Sequence, residues 1–303
     1  MSFHLPFRGL RHRLQLPLAR MLVFLSSSLP RRVAVPLASL LGRAASLVPG
    51  RSRETFRINR RHVIRPMGLE VSLYRVYVNL ITGVLDFLHL NSRSDRDFLR
   101  EVEVKGEQYM AEALSLGRGV IAVTAHYSAW ELIPRAVSLL GHRVGVVTRK
   151  VGRGRAAEYL DGLRSRHGTV TIDRGSGLPK LMRALRDNTA VGILIDQDTM
   201  GVESEFVDFL GLPARTPVGP ARLALRFDIP VLTLHISKDG DRRYTVEIDR
   251  PLNLDDYREK GGYLRLTQDL TARIEEWVIE DPEQWVWIHE RWARRPGGAP
   301  GLR

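Results

Sequence analysis

The chain has no cysteine. That absence removes a disulfide scaffold, a thiolate zinc site, an iron–sulfur cluster and a cysteine nucleophile together. Acids are scarce in one region only. Residues 1–66 hold 13 arginines, no lysine and a single carboxylate, Glu54, so this stretch carries the whole formal charge of +12. The remainder balances 33 basic against 33 acidic side chains. A nucleic-acid-binding protein spreads basic residues over a folded face; here the excess is confined to an apolar leader, which argues against nucleic acid as a partner.

Long hydrophobic runs are also lacking. The longest uncharged stretches of the leader, residues 21–30 and 33–42, are ten residues each, short of the ~18–20 that a clean transmembrane helix needs. Leu18, Met21, Leu22, Leu25 and Leu29 recur at helical spacing, and so do Val33, Leu37, Leu40, Leu41, Ala44, Leu47 and Val48. Both sets predict one-sided apolar helices. Such helices lie at the headgroup boundary while guanidinium groups pair with anionic lipid. A cleaved signal peptide fits poorly, because Pro30-Arg31-Arg32 is followed by a second apolar helix. Residues 1–66 therefore read as a basic, apolar membrane-anchoring segment and residues 67–303 as the body. A helical hairpin packed on the body is the alternative.

In the body, residues 70–90 are helical by pattern, with Leu73, Tyr77, Leu80, Val84 and Phe87 on one face. Short β-branched runs then follow at 119–125, 143–148, 169–172, 190–195 and 230–236. Helical stretches separate them at 107–116, 129–140, 156–166, 178–186 and 216–227. This alternation predicts an α/β fold, a mostly parallel (mixed) sheet flanked by helices, behind N-terminal amphipathic anchoring helices. No linker or internal repeat divides it.

Active sites of such sheets sit beyond the carboxyl ends of strands. The first run ends in Thr124-Ala125-His126, with Glu131 five residues later. Two residues so spaced inside one helix point roughly 140° apart and do not meet. Placed in the strand-to-helix turn, His126 can swing back toward Glu131, leaving one imidazole nitrogen free as a base. No serine nucleophile accompanies the pair: the nearest approach to G-x-S-x-G, Arg174-Gly175-Ser176-Gly177, lacks the leading glycine. A His–carboxylate pair alone deprotonates a hydroxyl supplied by the substrate. On spacing alone, a histidine that merely caps a helix end is the better reading.

Two other motifs point elsewhere. Gly152, Gly154 and Ala157, with Asp173 further on, mimic a dinucleotide fingerprint, but the loop before Gly152 is too long and the third glycine is alanine. Asp196-Gln197-Asp198 reads either as the metal clamp of a glycosyltransferase or as a strand-end turn with capping duties. The remaining histidines show no H-E-x-x-H or H-x-x-H spacing, so no zinc site is expected. Trp285, Trp287 and Trp292 read as packing residues.

Four segments carry a resemblance. Ala125-His126-Tyr127-Ser128-Ala129-Trp130-Glu131-Leu132 resembles the H-x-x-x-x-[DE] box, usually H-F-G-N-W-E-L, of the bacterial lipid A biosynthesis acyltransferase family. Asp196-Gln197-Asp198 resembles its D-Q-D element, residues 209–224 its F-F-G to G-P-A-R-L-A stretch, and residues 284–292 its Q-W-x-W-x-H-x-R-W. The family's Gly-Asn is Ser128-Ala129 here, which removes an amide and a flexible position beside the base.

The resemblance implies an O-acyltransferase. It would move a fatty acyl chain from acyl carrier protein or acyl-CoA to a hydroxyl of a membrane glycolipid, at the cytoplasmic face of a bacterial inner membrane, with no metal or organic cofactor and no covalent intermediate. His126 would be the general base and Glu131 the residue that holds its tautomer. Arg149 and Arg164 are candidates for the oxyanion or for glycolipid phosphates. Trp130, Asp196, Asp198 and Glu205 complete the expected substrate-binding set.

Overall fold

The computed structural model describes residues 16–17, 20–21, 23–149, 155–239, 243–299 and 301–302. Helix α1 (Arg31–Leu47) presents a stripe of small residues inward: Ala34 and Ala38 are buried. At Gly42 a Cβ would lie 2.7 Å from Val78 Cγ2, so α1 meets α3 (Leu73–Leu90) through its smallest side chains. The opposite face leaves Val33, Leu37, Leu40, Leu41 and Leu47 exposed. Among the described residues no single helix is long and apolar enough to cross a membrane; only α1 and the following helix, bent by 84°, pass such a test together.

That following helix, α2 (Arg51–Asn59), continues as a wide π turn over Arg60–Ile64 and enters the body. Phe56, Val63 and Ile64 join the core, and Asn59 Nδ2 donates to the carbonyl of Trp287 at 2.9 Å. The expected boundary at residue 66 is thus too late. Residues 51–64 belong to the body; the arginine pattern carries on across them because Arg51, Arg53, Arg57, Arg60 and Arg61 stay on the outer side. Parts of the leader, Leu18 and Leu22 included, lie outside the described residues, as do Gly152 and Gly154 of the dinucleotide-like motif.

The body is built on a seven-stranded sheet in the order β1-β9-β8-β2-β5-β3-β4. The five β-branched runs form β2 (Val120–Thr124), β3 (Val144–Thr148), β4 (Val170–Asp173), β5 (Ala190–Leu194) and β8 (Val231–Asp239). All of their mutual pairings are parallel. β9 (Arg243–Ile248) runs antiparallel to β8 and parallel to β1 (Val102–Lys105), which makes the sheet mixed. These two outer strands alternate polar and apolar residues, as Val102-Glu103-Val104-Lys105 shows, so a search for continuous apolar runs passes over them.

A separate hairpin, β6 (Ser204–Phe209) with β7 (Leu212–Pro217), occupies part of the stretch expected to be helical from 216. The helix there, α9 (Gly219–Phe227), starts after Pro217 and carries Pro220 in its first turn, where a missing N–H costs nothing. The remaining helices are α4 (Asp95–Glu101), α5 (Glu107–Ser115), α6 (Ile133–Leu139), α7 (Arg155–Arg164), α8 (Leu178–Arg186) and α10 (Gly262–Glu280). They cover both sheet faces. Ile121 and Val123 belong to the core on one side and Val120 and Ala122 to the core on the other, the alternation that buries a parallel strand twice.

Candidate active site

His126 lies two residues past the end of β2 and Asp196 two residues past the end of β5. The parallel register pairs Thr124 with Leu194, so the two side chains emerge side by side. His126 Nδ1 stands 2.8 Å from Asp196 Oδ1. Asp196 Oδ2 accepts the backbone N–H of His126 at 2.9 Å and the indole N–H of Trp285 at 2.9 Å. An ionised carboxylate only accepts, so Nδ1 carries the proton and Nε2 presents its lone pair. Burial by itself would raise the Asp196 carboxyl; the adjoining imidazole, its hydrogen bond, His289 and the indole N–H outweigh it and hold the group well below the usual carboxylate range.

The C-terminal tryptophan segment straps this turn in place. The N–H of Val286 donates to the carbonyl of His126, and the N–H of Ser128 to the carbonyl of Gln284 at 2.8 Å. Trp285, fully buried, packs as expected and also orients the carboxylate, a second role that its sequence context does not signal. His289 Nε2 stands 3.2 Å from the carbonyl of Asp196, and burial pushes its pKa down to about 4, so it is neutral near pH 7. Ser128 holds φ 50, a left-handed conformation that suits the glycine of the family box better than a residue with Cβ.

Glu131 is not the partner of His126. It is the middle residue of the short 3₁₀ turn Trp130–Leu132, and both of its oxygens bind Arg164 at the end of α7, at 2.6 and 2.8 Å. These bonds to Glu131 hold the Arg164 guanidinium above its ordinary pKa, and Asp161 adds a contact at 3.1 Å. The expected orienting role passes to Asp196 because the neighbouring strand delivers a carboxylate to the imidazole. The 3₁₀ turn sends Glu131 toward α7 instead.

Two cavities meet at this pair. A wide one of about 540 Å³ is walled by His126, Arg149, Arg164 and Arg174, with Leu178 and Leu223 among its apolar sides. A narrow slot of about 80 Å³ runs between one sheet face and α3, α5 and α6. Its floor is Ala122, Ala190 and Gly192, and Phe87, Met110 and Val137 close over it. Trp130, Glu131, Thr148, Arg164 and Leu194 line both cavities. Trp130 also stands edge-on to His126, with ring centroids 5.1 Å apart.

The other expected acids fall elsewhere. Asp198 is buried beneath Arg215 and Arg294, at 3.4 and 2.5 Å, and is absent from the wall of either cavity. Glu205 sits on β6 opposite Thr216, and its neighbour Glu203 lines the wide cavity instead. Asp196 and Asp198 are alternate residues of one turn, each saturated by its own donors, which disqualifies them as a joint metal clamp. Among the described residues no other cluster of carboxylates and histidines forms a metal site. Arg174, which the sequence singled out only as a residue that breaks a G-x-S-x-G match, lines the cavity beside Arg149.

A model of the family described as bacterial lipid A biosynthesis acyltransferase matches residues 6–294. A phosphatidylinositol mannoside acyltransferase of Mycobacterium tuberculosis (strain CDC 1551 / Oshkosh) is 26% identical over 218 residues, covering 68% of this chain and 66% of that protein. The lipid A biosynthesis lauroyltransferase of Escherichia coli K12 is 25% identical over 216 residues, 68% of this chain and 66% of that protein. The matches thus span just under two thirds of these relatives' length. The solved 1-acyl-sn-glycerophosphate acyltransferase PlsC of Thermotoga maritima superposes on 84% of this chain and 99% of its own, with 15% identity and a TM-score of 0.41.

Proposed function

This chain belongs to the bacterial lipid A biosynthesis acyltransferase family, and we propose that it is an O-acyltransferase. It moves a fatty acyl chain from acyl carrier protein or acyl-CoA to a hydroxyl of a membrane glycolipid. The observation that carries the reading is the His126–Asp196 pair, whose second imidazole nitrogen has no partner among the described residues and stands at the wall of a cavity that joins an apolar slot.

In this reading Nε2 of His126 takes the proton of the acceptor hydroxyl as its oxygen attacks the thioester carbonyl. Asp196 keeps Nδ1–H in place and stabilises the imidazolium that forms. The tetrahedral oxyanion collapses, expels the thiolate, and His126 returns the proton to it as the thiol leaves. Arg164, held at the junction by Glu131, is the charged donor best placed to stabilise the oxyanion. The acyl chain enters the slot over Ala122 and Gly192, whose small side chains leave room above the sheet.

We further place the enzyme on the cytoplasmic face of the inner membrane, lying on its surface through the leader. The sidedness of α1 supports this. Its small residues are spent on α3, and its large ones, Leu40 and Leu47 at 66% and 65% exposure, face outward with Phe24 at 68%. An outward apolar patch flanked by arginines suits an anionic bilayer surface.

The test is to incubate the purified protein with a fatty acyl donor and either a lipid A precursor or a phosphatidylinositol mannoside, and to weigh the extracted lipids. A single added acyl mass that disappears in His126→Ala is expected. No added mass with any acceptor–donor pair defeats the assignment.

A further inference from the structure

Strand register places two arginines together at the wide cavity. β3 and β4 are parallel and pair Thr148 with Asp173, so Arg149 and Arg174 are the next residues off two adjacent strand ends. The backbone N–H of Arg174 still donates to the carbonyl of Thr148 at 2.8 Å, which keeps the two positions in step. Both side chains line the cavity that His126 lines.

The charge around them is unbalanced. Every acid on the cavity wall is already engaged: Glu131 with Arg164, Glu203 with Arg222 at 3.0 Å, and Asp173 with the hydroxyl of Ser176 at 2.8 Å. Neither Arg149 nor Arg174 forms an ion pair among the described residues; Arg174 makes one long contact, 3.4 Å, to the Thr199 hydroxyl. Burial, followed by the nearby Arg149 charge, lowers the pKa of Arg174, and the Asp173 carboxylate offsets only part of this. Helices α8 and α9 also begin at this wall, through Gly177 and Gly219, and neither has an acid in its first turn. Their positive ends add to the same field.

Resting on the acyltransferase reading, we infer that Arg149 and Arg174 form an anion subsite that grips a phosphate ester of the substrate while the reacting hydroxyl and thioester meet at His126. Two guanidinium forks side by side match the oxygens of one phosphate group. Phosphate esters occur both in the headgroup of a glycolipid and in the phosphopantetheine arm of an acyl donor, and the chemistry at this wall is the same for either.

The experiment measures direct binding to the full-length His126→Ala protein, in which no turnover interferes. One arm compares coenzyme A with pantetheine, which lacks the phosphates; the other compares phosphatidylinositol with diacylglycerol in detergent micelles. A preference of roughly tenfold for the phosphorylated member of one arm, lost when Arg149→Gln and Arg174→Gln are added, is expected and names the source. In the enzyme with His126 intact, the same pair should raise KM for that substrate and leave kcat at saturation nearly unchanged. Equal binding of phosphorylated and phosphate-free probes in both arms, or a preference that survives the double substitution, overturns the subsite. Should the double variant melt early, exposed Arg149→Gln alone carries the test. A chain that binds phosphate probes in this way but transfers no acyl group refutes the activity and not the subsite.

Discussion

Asp196 accepts from His126 across the ends of two neighbouring strands at 2.8 Å, although 70 residues separate them in the chain. The contact defines which carboxylate works with the imidazole. Replacing Asp196 by Asn puts an amide N–H against Nδ1, favours the wrong tautomer, and should lower kcat by ~10²–10⁴ with little change in KM. Steady-state kinetics of Asp196→Asn beside His126→Ala checks this, and wild-type turnover in the Asn variant would sink the pairing.

Glu131 and Arg164 should behave as a unit of a different kind. Their side chains are 25% and 24% exposed, so removing one leaves the other partly buried without its counterion. Glu131→Gln and Arg164→Gln should each cost about 1–3 kcal/mol in urea denaturation, and the double variant less than their sum. Kinetically, Glu131→Gln should lower kcat far less than Asp196→Asn does, because Glu131 holds Arg164 and not the imidazole. A loss as large as that of Asp196→Asn would return Glu131 to the orienting role.

The slot makes a prediction about chain length. Gly192 faces it with Ala122 and Ala190, and a Cβ at Gly192 would meet only ordinary contacts at 3.7 Å. Gly192→Val therefore fits the sheet and fills the slot. With a series of saturated acyl donors, the preferred length should shift downward while the thermal melt stays close to wild type. An unchanged length preference would remove the slot as the acyl site.

Acid should destabilise the fold before carboxylates titrate. His235, stacked on Trp277 with centroids 4.5 Å apart, and His289 are both pushed by burial from 6.5 to about 4. Unfolding lets them bind protons near pH 6.5, so their stabilisation is complete above that pH and is lost as pH falls through about 4. A tenfold difference in proton affinity between folded and unfolded chain is worth about 1.4 kcal/mol, so the two imidazoles together put on the order of several kcal/mol at stake over this window. Denaturant midpoints should fall steeply between pH 7 and 5, and His235→Leu should flatten the slope. The low Asp196 carboxyl adds stabilisation of the same sign, present above the ordinary carboxylate range and lost only well below it.

The outward face of α1 should govern membrane attachment. Leu40→Asp with Leu47→Asp is expected to weaken binding to anionic phosphatidylglycerol vesicles by on the order of a hundredfold or more, roughly the loss of two buried leucines, without lowering the melting temperature. Undiminished co-sedimentation of this variant would place the attachment elsewhere.

The sequence by itself determined what neighbours within a few residues encode. Five apolar runs became five parallel strands, His126 came out in the turn after the first of them, and the leader's large apolar residues came out on one side of α1. Strand order has no such local signal. It follows from how sheet faces are covered and crossovers close, and it set β5 beside β2 and β4 beside β3. That ordering handed His126 to Asp196 rather than to Glu131, put Arg174 next to Arg149, and carried Asp198 beneath two arginines, because partners across strand ends are chosen by register in space and not by distance along the chain.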